Sequence, residues 1–512
     1  MGWDVATALR DAIDRARRTE RTGRPVLSPL RALGRHQLSP IDLIGQSLST
    51  IAPATGMVYI ALWMVTRRPG VAGLVTIAAT TAVVGLVAFC ISQFTRRCAA
   101  AGSLYSFVFQ GLGPRTTLTA GATLLLCYLG ISVSVLIQAG GTLLDIAGLL
   151  GHGVDGYGAW LAAIVLVAAA GMVITVRGVR FATRAILITE TCSLLLVVAI
   201  MVGTPGATAS ASVSVPEAPL SLMPFLAMVT VLSMAGFESA AFFGPEAKRP
   251  LVTVTRTVLV APVIVGLLFV FAAGAALLGR GSVIVDAYFG GVDAGVAWGV
   301  VLAVKIGIAC SWFACTVGCA QAGSRLLYSM GVERVLPHAL SRVHVRFRTP
   351  YVAVGVFTVV GLCGSALHGA FLGVDSGTFD AVVEVALVVA YTLVALASWR
   401  FLARIGELTM ATRLAAITVA TIGAGLLVAI TVDAVLHRLW VAPATVLFTA
   451  CAGTVWYAVL HRLRPASLAT LGVFDTVETT DILPGAGVLV LGDDGRHRIV
   501  ADRATRWPRE SA

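Results

Sequence analysis

Residues 47–56 read Ser47-Leu-Ser-Thr-Ile-Ala-Pro-Ala-Thr-Gly56, inside an apolar run that begins near Ile41. Pro53 has no amide hydrogen to give, and Gly56 tolerates backbone angles closed to other residues. At 1.5 Å per residue from Ile41, Pro53 is about 18 Å along a helix, near the middle of a ~30 Å hydrocarbon core. A second stretch, Ser233-Met-Ala-Gly-Phe-Glu-Ser-Ala-Ala-Phe-Phe-Gly-Pro245, combines small residues with a charge, Glu238. Breakers inside a membrane helix mark backbone that something other than the helix must satisfy.

The composition supports a membrane setting. Of 512 residues, 57% are hydrophobic and 12% charged, and mean hydropathy is +0.90. A soluble domain carries about 25% charged residues. This excludes a disordered chain, a nucleic-acid-binding protein and an ordinary soluble enzyme, and leaves a polytopic membrane protein. Apolar runs long enough to span fall at 41–66, 70–94, 116–145, 157–177, 185–203, 219–245, 257–279, 297–330, 350–368, 379–400, 414–433 and 439–460. Spans three and eight are long enough to tilt or run past the membrane surface. The interrupted spans are the first and sixth, five apart, as expected of an inverted-repeat transporter. The expected fold class is all-α: twelve transmembrane helices in a 5+5 inverted repeat with broken helices 1 and 6, plus two extra helices. The expected domains are an N-terminal segment 1–40, repeat 41–203, repeat 219–400, spans 414–460 and a tail 461–512.

The net charge of +11 describes topology. Eight of the 37 basic residues lie in the N-terminal segment, 17 in the even-numbered connections and seven in the tail. The odd-numbered connections hold only Arg67, Arg68, Arg280 and Arg438, and Lys305 alone lies away from the ends of a span. By the positive-inside rule both termini are expected in the cytoplasm. Residues 1–40 lack the pattern of a signal peptide, and Asp11–Arg24 is expected to form a short surface helix. A short strand, Gly487–Leu491, is expected in the tail.

The breaks carry chemistry of their own. A half-helix N-terminus exposes amides that attract a carboxylate, and the preceding half-helix C-terminus exposes carbonyls that attract an ammonium or a cation. A zwitterion such as an amino acid satisfies both. Nine cysteines sit in or beside apolar runs, as buried thiols rather than a disulfide framework. Cys310, Cys315 and Cys319 share span eight and are read as packing residues, not a metal site. No P-loop, Gly-x-Ser-x-Gly elbow or His-Glu-x-x-His occurs, so neither ATP hydrolysis nor another enzyme activity is expected.

Pro53-Ala-Thr-Gly-Met-Val58 is similar to a Gly-x-Gly-Ile-Phe segment, with Ala54 for the first Gly. Gly236-Phe-Glu-Ser-Ala-Ala241 with Glu246-Ala-Lys-Arg-Pro250, Ser324-Arg-Leu-Leu-Tyr-Ser-Met-Gly331 with His344–Pro350, and Ala101-Gly-Ser-Leu-Tyr105 complete the pattern. In these residues the chain resembles an amino acid permease of the APC (amino acid–polyamine–organocation) superfamily, with the LeuT-like fold. Pro245 and Arg249 depart from the family's Glu-x-x-Asn-Pro exit.

The resemblance implies a secondary-active amino acid transporter working by alternating access, with proton symport preferred. An amine or polyamine carrier, an exchanger and a non-transporting sensor are the alternatives. Ala54, Thr55 and Gly56 would present amides to the substrate carboxylate. Ile51 and Ala52 would offer carbonyls to its ammonium, Met234, Ala235 and Gly236 would complete that site, and Phe237 would form a lid. Glu238 is expected to tie the sixth span to its neighbours and to take part in coupling. Glu190 is expected at the inner exit and Lys305 in the outer vestibule, too far apart in depth for a direct salt bridge. In some proton-coupled relatives a fifth-span Lys replaces the second sodium. Ser193 matches that position and supplies no amine, which leaves proton and sodium both open as the coupling ion. No other cofactor is expected. The expected partners are an amino acid or amine and the lipid bilayer, with no nucleic acid; oligomeric state is not readable.

Overall fold

The structure is a computed structural model that describes residues 29–34, 37–204, 219–373, 378–468, 471–472, 488–491 and 497–500. The expected helix Asp11–Arg24 lies outside them. Twelve helices are long and apolar enough to cross a membrane. Spans 1 to 6 are Pro40–Arg67, Gly70–Thr95, Pro114–Leu149, Tyr157–Val176, Val179–Gly203 and Met223–Glu246. Spans 7 to 12 are Pro250–Leu277, Trp298–Val332, Tyr351–Phe371, Phe379–Arg404, Met410–Leu436 and Val441–Leu463. The membrane part is all helical. The only strands among the described residues form a hairpin in the tail, Val488–Leu491 antiparallel to His497–Val500.

Local chemistry sets the helix starts. Ser39 caps span 1 in a reciprocal capping box with Asp42, which satisfies amides that the first turn leaves orphaned. Spans 3 and 8 run 36 and 35 residues, about 50 Å at 1.5 Å per residue, well beyond the hydrocarbon core. They pack along each other in the centre of the bundle. Span 10 lies against span 3, span 7 against span 2, and span 5 against spans 1 and 8. Between lipid-embedded helices small residues permit the close approach that drives association. A side chain at Gly453 of span 12 would strike the backbone of Thr119 on span 3.

Span 5 begins at Val179, six residues before the expected Ala185. Arg180 and Arg184 made that turn look like a loop. Their charges are met across the bundle instead. Arg180 donates to the Gln37 carbonyl at 2.6 Å, and Arg184 pairs with Asp42 at 3.3 Å. The earlier start lifts every later residue of span 5 relative to its basic end.

Candidate functional site

The first helix stops at Ile51. Pro53 cannot donate to the turn behind it, and its ring excludes the carbonyl four residues back. Ala52 takes the strain with left-handed angles, φ 55° and ψ 60°. A new helix starts at Pro53, a residue suited to the first helical position. Of the freed carbonyls, Thr50 accepts from the Cys315 thiol at 3.1 Å. Ala52 accepts from the Gly56 amide at 3.1 Å and the Thr55 hydroxyl at 2.7 Å. Ile51 accepts no bond from any described residue.

The sixth span runs as α-helix over Met223–Ser233 and turns through Met234, Ala235 and Gly236, where φ reaches 100°. It continues as a tight 3-10 helix over Phe237–Glu246. Glu238 holds this turn together. Its carboxylate accepts from Tyr128 of span 3 and Tyr391 of span 10, each at 2.9 Å, and from the Gly236 amide at 3.2 Å. The buried Phe237 ring leans on Tyr391 with centroids 5.5 Å apart.

The two breaks meet at Thr50. A Cβ on Gly236 would come within 2.6 Å of the Thr50 methyl, and one on Gly318 of span 8 within 3.0 Å of its Cα. Two discontinuous helices therefore abut near mid-bundle, with a lone carbonyl and a half-helix N-terminus beside them. The amino acid permease family model matches residues 41–457, from the start of span 1 into span 12. The chain belongs to the amino acid permeases of the APC superfamily. Comparison with the curated proteins finds no match. Membership makes it a multi-pass transporter of small-molecule amino acids rather than an enzyme.

In this permease the expected site residues lie together at the breaks, but not all of them are open. The Ala54 amide is already taken, donating to Glu190 Oε1 at 3.1 Å. The Gly56 amide and the Ala52 carbonyl bond each other. That leaves the Thr55 amide and the Ile51 carbonyl at the first break, and the Ala235 carbonyl at the second, as backbone groups not so engaged. Gly56 also makes room for span 7, since a Cβ there would lie 2.5 Å from the Phe269 ring.

Glu190 is not at the inner exit, where the count from Arg184 put it. Starting from Val179, it is about 16 Å along span 5, and Ala54 is about 21 Å along span 1, so the two meet at the break. Its second oxygen and the hydroxyls of Ser193 and Ser311 are buried without a hydrogen-bond partner. Lys305 has a different partner. It pairs with Asp145 of span 3 at 2.5 Å and sits 4.8 Å over the Tyr288 ring. Cys315 and Cys319 lie 3.9 Å apart, sulfur to sulfur. No metal-holding group of three or more His, Cys, Asp or Glu occurs among the described residues.

Five acids inside spans escaped the sequence reading, one of them Asp433 of span 11, which lies 3.2 Å from His437 one turn on. Asp42 and Asp145 hold the ion pairs above. Asp380 accepts from Ser134 of span 3 at 3.0 Å, and Glu384 follows one turn later on span 10. Continued along the helix, that stripe reaches Tyr391 and the Phe237 ring packed on it. The signal was present, since a carboxylate within a membrane span is by default a functional candidate.

Proposed function

We propose that the permease is a secondary-active carrier that moves amino acids across the cytoplasmic membrane by alternating access, in symport with protons, with both termini in the cytoplasm. The observation that carries this reading is the abutment of the two breaks at Thr50, which leaves the Ile51 carbonyl and the N-terminus of the second half of span 1 side by side. A substrate ammonium and carboxylate find complementary backbone charge there without a charged side chain. The closure of the basic side supports the alternating part. The Gln37 and Leu38 amides donate to the Glu246 carbonyl, and Arg325 pairs with the Glu246 side chain. That side must part before a substrate leaves.

The test is counterflow in proteoliposomes with a tritiated mixture of the twenty proteinogenic amino acids. Wild type is expected to accumulate label against unlabelled internal substrate. Gly56→Leu must displace Phe269, and is expected to lose at least about 90% of that signal, because a core overpacked by several heavy atoms costs about 1–3 kcal/mol and shifts backbone. Absence of counterflow in the wild type sinks the carrier reading. Asp380 and Glu384 favour a second reading, a cationic substrate. Label retained by lysine, arginine and putrescine alone would select it.

A further inference from the structure

The Ala54 amide is the first N–H of the second half of span 1, because Pro53 before it has none. It is therefore a natural seat for a substrate carboxylate, and a carboxylate of the protein already occupies it. We infer that Glu190 is a protonatable plug: its ionised side chain fills the carboxylate seat at Ala54, and a substrate carboxylate takes that seat only after Glu190 has bound a proton. The inference rests on the carrier reading and specifies how the proton is made obligatory.

Glu190 is 2% exposed. Among the described residues it has no ion pair: Arg184 is engaged with Asp42 and Lys305 with Asp145. The positive end of the half-helix is thus what compensates the buried charge. One amide cannot serve two carboxylates. Like charges that close disfavour joint ionisation, so one of the two must be neutral or leave.

The surroundings provide for the neutral form. Ser311 of span 8 lies beside the carboxyl, and Ser193 is one turn along span 5. Both hydroxyls, like Glu190 Oε2, are buried and unsatisfied. Such orphans are rare in a native fold and call for an explanation. A neutral carboxylic acid has one O–H to donate and can turn it to either hydroxyl, releasing Ala54. The other groups facing Glu190 do not substitute for it. Span 8 adds the Cys310 thiol, and span 5 the exposed Cys192. Asp42 of span 1 is held by Ser39 and Arg184. Tyr59, farther along span 1, packs edge-on against Phe289 and Trp312. Residues 158–176 of span 4, 257–277 of span 7 and the loop turn Ser282–Val285 bring no acid or base.

The cycle then balances. On the loading side a proton from solution binds Glu190, the neutral side chain swings off Ala54, and the substrate carboxylate takes the amide. On the release side the substrate leaves, the proton follows, and the carboxylate returns to Ala54. One proton moves with each substrate.

The experiment measures binding of the tritiated amino-acid mixture to purified permease between pH 5 and 9, together with proton uptake on binding in weak buffer. In the wild type the dissociation constant is expected to rise with pH, approaching about tenfold per pH unit on the alkaline side, as linkage to one proton requires. One proton should be taken up per substrate bound there. Glu190→Gln cannot ionise, and should bind with a flat pH profile and no proton uptake. Wild-type counterflow with a flat profile and no proton uptake overturns the plug and leaves the carrier reading standing. A Gln variant that keeps the wild-type slope overturns it too. If the Gln variant fails to fold, Glu190→Asp, which keeps a carboxyl on a shorter stem, is expected to shift the pH midpoint of binding, and an unshifted midpoint overturns the plug. Absence of binding and counterflow in the wild type overturns the carrier reading, and the plug with it.

Discussion

Gly236→Ala is expected to lower amino acid uptake about 100-fold at trace substrate, and Thr50→Ser in the same chain is expected to restore part of it. Gly236 has a φ of 100°, where any residue with a Cβ is strained by roughly 1–3 kcal/mol. The added methyl would also sit 2.6 Å from the Thr50 methyl, far inside contact distance. Thr50 cannot retreat. Its hydroxyl donates to the Gln46 backbone carbonyl at 2.7 Å and accepts from the Gln46 side-chain Nε2 at 3.0 Å. Behind it stands Gly318, which leaves no gap.

The strain must therefore push span 6 away from span 1, and that separation is the proposed binding site. A loss of about 2.7 kcal/mol in site geometry corresponds to 100-fold. Ser at position 50 keeps the hydroxyl bonds and removes the methyl, so the double variant should recover the clash term and retain only the backbone strain. Initial rates of uptake for the four proteins, with thermal unfolding in detergent as a check on folding, decide it. Uptake unchanged by Gly236→Ala, or a double variant no better than the single, would disprove the wedge at Thr50.

What could be read from residues alone divides along a physical line. The breaks were legible because Pro53 and Gly236 alter backbone chemistry whatever surrounds them. The twelve spans were legible because a ~30 Å slab imposes a length and an apolar composition that few other structures share. Which backbone groups at the breaks stay open was not legible. That Ala54 is occupied depends on a side chain 136 positions away. The depth of Glu190 in turn depends on whether Arg180, Thr183 and Arg184 are loop or helix. Only the partners Gln37 and Asp42, from another span, settle that. The same holds for Asp145. As a lone acid near a span end it reads as a boundary, and opposite Lys305 it is half of an interhelical tie. Local signals survive in a sequence, and pairings between distant elements do not.

Arg325 shows the energetic side of such a pairing, and Arg325→Met is expected to destabilise the permease by about 3–5 kcal/mol. It lies 27 residues past Trp298, about 40 Å along span 8 and so beyond the hydrocarbon core, yet it is 1% exposed. Two guanidinium nitrogens donate to the two Glu246 oxygens at 2.6 and 3.0 Å, and a third donates to the Gln321 carbonyl at 2.9 Å. Its plane lies 3.9 Å from the Phe243 ring centre. Removing it strands a carboxylate that is wholly buried, and the cost is that uncompensated charge rather than the worth of the bond. Arg325→Met with Glu246→Leu removes both charges, and should unfold within about 1–2 kcal/mol of the wild type, since replacing a whole buried pair by apolar residues is often neutral. The pair nevertheless joins span 8 to the end of span 6, whose Glu246 carbonyl holds Gln37 and Leu38. Without it the double variant should favour the state open on the basic side, and a cysteine placed at Gln321 should react faster with a membrane-impermeant thiol reagent added to that side. Equal thermal stability of Arg325→Met and wild type would refute the buried-charge argument. A stable double variant with unchanged labelling would show that the pair holds the fold and not the gate.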